Sequence, residues 1–227
     1  MPSWGIHLEI ANKLAKKLNL EGMDKNNFIF GNILPDINNG YVIPNVKIVI
    51  PHEMTHFSEK RDNNPTYINF YKKYKDKLDN KVILGYFVHV VSDLYFNNMT
   101  YTEYGIYDSS GNRIGLRLND GTEMIGDGEQ RRATKTNDFK IFADYIYNNS
   151  NLENLKYNDE IIKSLKVIEE IDVNEQDMKN AIEYINKCIN KEISVSPEES
   201  NATYKVFSEE DLKKRTDICI DFILGQI

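Results

Sequence analysis

Gly85-Tyr86-Phe87-Val88-His89-Val90-Val91-Ser92-Asp93-Leu94-Tyr95-Phe96 is apolar on nearly every side of a helix, yet it carries a histidine and an aspartate one turn apart. A helix that is hydrophobic all round belongs in the middle of a fold. A spacing of four places His89 and Asp93 on one face, with Asn97 a further turn along. Ionisable groups there need compensation. Removing one partner of a buried charge pair costs roughly 3 to 5 kcal/mol, so the pair persists only when neutralised mutually, by other side chains or by a metal ion. Taken alone, the segment fits a structural His–Asp hydrogen bond as well as a pair of metal ligands.

The pattern on either side is mostly helical. Trp4 to about Leu18 carries Ile6, Ile10, Ala11, Leu14 and Leu18 at spacings of three and four, with His7 at the edge of that stripe. A short helix from about Asn26 to Leu34 is expected to stop at Pro35, with Asp36 emerging just after it. Residues 38 to 50, with Gly40 and Pro44, read as an extended connection to Pro51 and His52. Helical patterns follow at about Pro65–Leu78, Asn80–Met99, Asp138–Asn148, Glu175–Lys191 and Glu209–Leu224. Asn174 and Ser208 are placed to cap the last two. Between them, Arg113-Ile114-Gly115-Leu116-Arg117-Leu118 alternates between the turn signals Asp108-Ser109-Ser110-Gly111-Asn112 and Asn119-Asp120-Gly121. This predicts a β-hairpin insertion at about 104–126. Lys191 to Tyr204, with Pro197, reads as an exposed loop. The expected fold is mainly α, one multi-helix domain over 1–227 with that small insertion.

Composition narrows the function classes. The 227 residues are 41% hydrophobic, enough for a sizeable core, and the formal net charge is −7. An acidic chain is a poor nucleic-acid scaffold, because binding the phosphate backbone normally needs a basic face. Cys188 and Cys219 are the two cysteines and read as buried thiols rather than a disulfide framework. No transmembrane stretch and no signal-like leader is seen, so the expected location is the cytoplasm. The tyrosine row Tyr95, Tyr101, Tyr104 and Tyr107 fits core, pocket rim or interface equally well.

All four histidines, His7, His52, His56 and His89, fall in the first 89 residues. With Asp36 and Asp93 they form a mixture of imidazoles and carboxylates that suits zinc and would also accept manganese or iron. His52-Glu53-Met54-Thr55-His56 matches the His-Glu-x-x-His pattern of zinc proteases, in which both histidines bind metal and Glu53 is the general base. The polar run after it, Ser58 to Pro65, offers no apolar face to anchor a catalytic helix. The reading in which only His56 is a ligand is therefore preferred, with His52 an additional candidate.

Four blocks, in this order, carry a resemblance. Trp4-Gly5-Ile6-His7-Leu8-Glu9-Ile10-Ala11, Phe30-Gly31-Asn32-Ile33-Leu34-Pro35-Asp36-Ile37, Thr55-His56-Phe57 and Gly85 to Asp93 together resemble the zinc-dependent phospholipase C family, related to the P1-type nucleases. The resemblance implies a helical bundle of that type. It also implies cleavage of phosphoric ester bonds by metal-activated water, with a small phosphoester or a phospholipid head group as substrate. By position, Asp36, His56, His89 and Asp93 resemble ligands of one zinc and His7 a ligand of a second, bridged by Asp93. Asp36 is the candidate catalytic base. The family's secreted enzymes supply further histidines after this helix, whereas none follows His89 here. One or two metals are therefore expected, and any third would need Glu103, Asp127, Glu129 or Asp138. Arg131, Arg132 and Lys135 fit either a phosphate contact or a solvated charged loop. The alternatives are a metal-binding protein without turnover and the zinc protease.

Overall fold

The computed structural model describes residues 2–38, 50–58, 67–195 and 203–227. It is mainly helical. The first helix, α1 (Trp4–Lys17), buries the predicted stripe with His7 inside it. The second, α2 (Gly22–Gly31), lies further toward the N-terminus than expected. Pro35 does not end it but sits inside a separate 3-10 turn, Leu34–Asp36, where its missing amide costs nothing. A single turn, α3 (His52–Thr55), starts after Pro51, and α4 (Tyr67–Tyr74) follows. The predicted connection at 39–49, most of the polar run after His56 and residues 196–202 of the predicted exposed loop lie outside the described residues.

The central helix, α5 (Lys81–Glu103), is longer than the apolar pattern indicated. It begins where the Asn80 side chain accepts hydrogen bonds from the amides of Val82 and Ile83, at 3.0 and 3.2 Å. It packs against α1, α2, α4 and, through helices that follow it, the rest of the core. The insertion is a three-stranded antiparallel meander of β1 (Gly105–Tyr107), β2 (Arg113–Arg117) and β3 (Glu123–Ile125), with β2 in the middle. Both predicted turns are present. Asp108 accepts from the amides of Ser110 and Asn112, Asp120 from that of Thr122, and Gly111 and Gly121 take the positive φ each turn requires.

The next helix, α6 (Gly128–Asn149), starts ten residues before the expected position. Its first turns are polar all round and show no stripe, and a capping box between Asp127 and Gln130 starts it instead. A seven-residue helix, α7 (Asp159–Leu165), had no sequence signal beyond its cap, Asn158. Both α8 (Glu175–Ile189) and α9 (Glu209–Leu224) fall where predicted, capped by Asn174 and Ser208. The two cysteines are free and buried. Among the described residues no helix is long and apolar enough to cross a membrane.

One packing contact positions the site. Gly31 of α2 and Gly85 of α5 meet where the two helices cross; a Cβ at Gly85 would overlap the Phe28 carbonyl oxygen, and one at Gly31 that of Val82. Only glycine permits this approach. It brings Asn32 against α5, where its side-chain amide donates to the Gly85 carbonyl at 3.1 Å.

Candidate metal centre

The structure brings His7, Asp36, His52, His56, His89 and Asp93 into one cluster. Five of them are buried, and His52 is half-buried. They divide into two groups, His7–Asp36–His89 and His52–His56–Asp93, within each of which one ligand atom per residue lies within 4.8 Å of the others. The groups touch. The rings of His7 and His89 stack at 4.0 Å, those of His52 and His56 at 3.7 Å, and His56 meets His89 edge-on at 5.1 Å.

Each element delivers its side chain for a local reason. His89 and Asp93 share a face of α5, and His7 enters from α1. The 3-10 turn after Gly31 presents Asp36. The single turn α3 is held against α5 because the Tyr86 hydroxyl donates to the Thr55 carbonyl. Just after His56, Phe57 takes φ +56° and packs its ring edge-on against Phe70, Tyr74 and Tyr86.

Hydrogen bonds around the cluster decide where the imidazole protons reside. The Asn32 carbonyl lies 2.7 Å from His89 Nδ1, and a carbonyl can only accept. Nδ1 of His89 therefore carries the proton and Nε2 presents a lone pair. The Ser92 hydroxyl donates to the His89 carbonyl at 2.8 Å, so at 3.1 Å from His7 Nδ1 it must accept. His7 Nε2 is again a lone pair. His56 Nδ1 lies 3.1 Å from the His52 carbonyl and 2.8 Å from the Thr55 hydroxyl, so this nitrogen too carries a proton and Nε2 faces inward. Outer partners that hold one ring nitrogen so that the other faces inward are the pattern of metal-ligating histidines.

Inside the cluster the Nε2 atoms face one another and the two carboxylates. His56 Nε2 and His89 Nε2 are 3.0 Å apart. Asp93 meets His56, His7 and His89 Nε2 at 3.2, 3.3 and 3.7 Å. Asp36 lies 3.5 Å from His56 Nε2 and 3.9 Å from His89 Nε2. Among the described residues neither Asp93 oxygen nor His7 Nε2 has a well-formed hydrogen bond. A fully buried Asp93 carboxylate without a well-formed hydrogen bond carries negative charge that a cation at the centre of the cluster offsets. The residues therefore fit a divalent metal, and the N/O donor set suits zinc, manganese or iron.

Without a metal, a proton takes over part of that task. Burial lowers the pKa of His56, but the hydrogen bond and charge of Asp93, then the charge of Asp36, outweigh it and hold it above the ordinary 6.5. Burial and the neighbouring His7 push His89 down to about 3; burial and His56 push His52 to about 4. Asp93 is held well below the usual carboxylate range, the imidazoles of His89, His56 and His7 overcoming its burial. Asp36 is lowered, against its own burial, mainly by His89 and His56.

Asp93 touches nitrogens of both groups, in keeping with a bridging position. His52, an additional candidate in the sequence, joins the second group. Asn97 and Asp138 join neither. Asn97 is half-buried one turn beyond Asp93, with Oδ1 3.4 Å from Lys135 Nζ. The Asp138 carboxylate accepts the backbone amides of Lys205, Val206 and Phe207 at 2.7 to 2.9 Å, so its role is to hold the chain ahead of α9. Of the other oxygen donors considered for a third metal, Glu103 pairs with Arg215, Asp127 caps α6 and Glu129 is exposed in its first turn. Sequence reasoning assigned no role to Ser92 or to the Asn32 carbonyl, which orient the rings. Ser92 stands three residues after His89, and the glycines Gly31 and Gly85 were the only trace of the contact that places Asn32.

Comparison with protein-family models, curated proteins and solved structures found no match to this chain. Fold and site together define a mainly helical protein with a buried His/Asp cluster that could bind a metal ion.

Proposed function

We propose that this chain is a metal-dependent hydrolase of phosphoric ester bonds, similar to the zinc-dependent phospholipase C family. Its substrate would be a small phosphoester or a phospholipid head group. One or two zinc ions would be held by His7, Asp36, His56, His89 and Asp93, with His52 completing the second group. The observation that supports this reading is the fully buried Asp93 carboxylate, which faces Nε2 of His7, His56 and His89 and has no well-formed hydrogen bond among the described residues. Bound divalent ions supply Lewis acidity and an acidified water.

The chain's own residues do the rest. The Asn32 carbonyl and the Ser92 hydroxyl keep the rings of His89 and His7 in the tautomer that offers Nε2. Asp36 is ionised at neutral pH and accepts the proton of the attacking water on a carboxylate oxygen. Val88, Val90 and Val91, fully buried beside His89 in α5, anchor that helix in the core.

The test is turnover of a panel of phosphodiesters and phosphomonoesters by the zinc- or manganese-loaded protein. Activity should disappear on chelation and in His89→Ala. Retained metal without turnover on any ester would make the chain a metal-binding protein instead. The stacking of His52 on His56 favours one further reading, the zinc protease with Glu53 as base. Casein cleavage abolished by Glu53→Gln would replace the esterase reading, which itself requires that this variant keep its metal.

A further inference from the structure

The face of α5 that carries the metal ligands continues beyond them. His89, Asp93, Asn97 and Tyr101 recur every four residues. At a rise of about 1.5 Å per residue, Asn97 lies about 6 Å and Tyr101 about 12 Å along the axis from Asp93. Two cations converge on Tyr101. The guanidinium carbon of Arg113, the first residue of β2, is 3.5 Å from the ring centroid, and Lys135 Nζ, from α6, is 4.6 Å from it.

Neither cation is neutralised. Lys135 is only 3% exposed, and its ammonium finds Asn97 Oδ1 at a long 3.4 Å. Arg113 Nε is buried without a hydrogen-bond partner. Among the described residues no Asp or Glu oxygen lies within 4.0 Å of either cation. Lysine is almost never this buried unless paired, because an ammonium taken from water needs a counter-charge or a full set of acceptors. Burial raises the Tyr101 phenol, yet Lys135 and then Arg113 outweigh it and hold it below its ordinary value, the mark of a strongly positive locus. In this acidic chain, two uncompensated cations on one aromatic ring are a local reversal of charge. A guanidinium beside an ammonium matches the several oxygens of a phosphate.

We propose that Asn97, Tyr101, Arg113 and Lys135 form an anion subsite that holds a second phosphate of the substrate, one to two helical turns from the metal ligands. The substrate class is then a phosphoric ester bearing a further phosphate. Its place in a substrate site rests on the hydrolase reading, but the anion site itself does not need the metal.

The experiment is calorimetric titration of inorganic phosphate into the metal-free full-length chain. It is repeated with Lys135→Met, which keeps the length of the buried stem, and with Arg113→Gln. Saturable binding by the wild type is expected, weakened at least tenfold in each variant, with zinc content after reloading unchanged. No saturable binding by the wild type, or binding equally tight in both variants, overturns the proposal. If Lys135→Met loses its circular dichroism signal, the half-buried Arg113→Gln decides alone. The two readings fail separately. Phosphate binding through these cations in a chain that takes up no zinc removes the hydrolase reading and leaves the subsite. Zinc-dependent ester cleavage by a chain that binds no phosphate when metal-free removes only the subsite.

Discussion

Asp93→Asn keeps the shape of the side chain and removes one charge from the point where both groups of the cluster meet. Three imidazole nitrogens lie 3.2, 3.3 and 3.7 Å from that carboxylate. With zinc at about 100 to 1,000 times its dissociation constant, binding stabilises the folded chain by about 2.7 to 4.1 kcal/mol. In a chain of this size each kcal/mol moves Tm by about 2 to 4 °C, so the wild type should melt about 5 to 16 °C higher in zinc than in chelator. The amide of the variant is a poor ligand and cannot bridge. Its zinc-dependent shift should fall below about 2 °C. Scanning calorimetry of both proteins, with and without chelator, reads the difference, and atomic emission gives the metal content. The opposing account is a purely structural His56–Asp93 ion pair. Breaking that pair would cost roughly 3 to 5 kcal/mol whether or not zinc is present. A wild-type Tm indifferent to zinc, manganese and iron, with an equal drop for the variant in zinc and in chelator, would refute the metal reading.

Three further outcomes follow from the same geometry. Zinc affinity should weaken as pH falls through the range in which His56, held above the ordinary 6.5 by Asp93 and Asp36, takes up a proton that the metal must displace, whereas His89 at about 3 and His52 at about 4 stay neutral well below it; a zinc affinity indifferent to pH between about 7 and 5 contradicts this. Gly85→Ala forces α2 away from α5 and should lower stability by about 1 to 3 kcal/mol in urea denaturation. It should also weaken zinc binding, because the Asn32 carbonyl loses its hold on His89; an unchanged midpoint and zinc affinity would show that the crossing relaxes freely. Asp138→Ala strands the amides of Lys205, Val206 and Phe207 and should cost about 1 to 3 kcal/mol or more. Metal content should be unaffected, and loss of zinc from that variant would place Asp138 in the site after all.

Much of this is legible in the sequence. The all-round apolar segment at Gly85–Phe96 identified α5 as central, because no exposed helix tolerates that surface, and the stripe after Trp4 placed His7 inward. Caps were readable wherever a side chain acts on its own neighbours, as at Asn174 and Ser208. Helix limits failed where the cause was not periodic. Polar residues 128–137 are helical because Asp127 and Gln130 close a capping box. Pro35 lies in a 3-10 turn rather than at the end of α2.

The candidate ligands His7, Asp36, His56, His89 and Asp93 could be named from residue type and order, since imidazole and carboxylate chemistry belongs to the residues themselves. Which nitrogen each ring offers, how the six side chains divide into two groups, and that His52 joins them while Asp138 does not, depend on neighbours distant in the chain. The same is true of Lys135, whose sequence context reads as a solvated charged run until α6 turns it onto Tyr101 beside Arg113. Sequence determines the donors available and the helices that bury them. Only the tertiary structure, through the Gly31–Gly85 crossing and the carbonyls and hydroxyls it brings within hydrogen-bond reach, decides their protonation and direction, because those are set by contacts that no local pattern encodes.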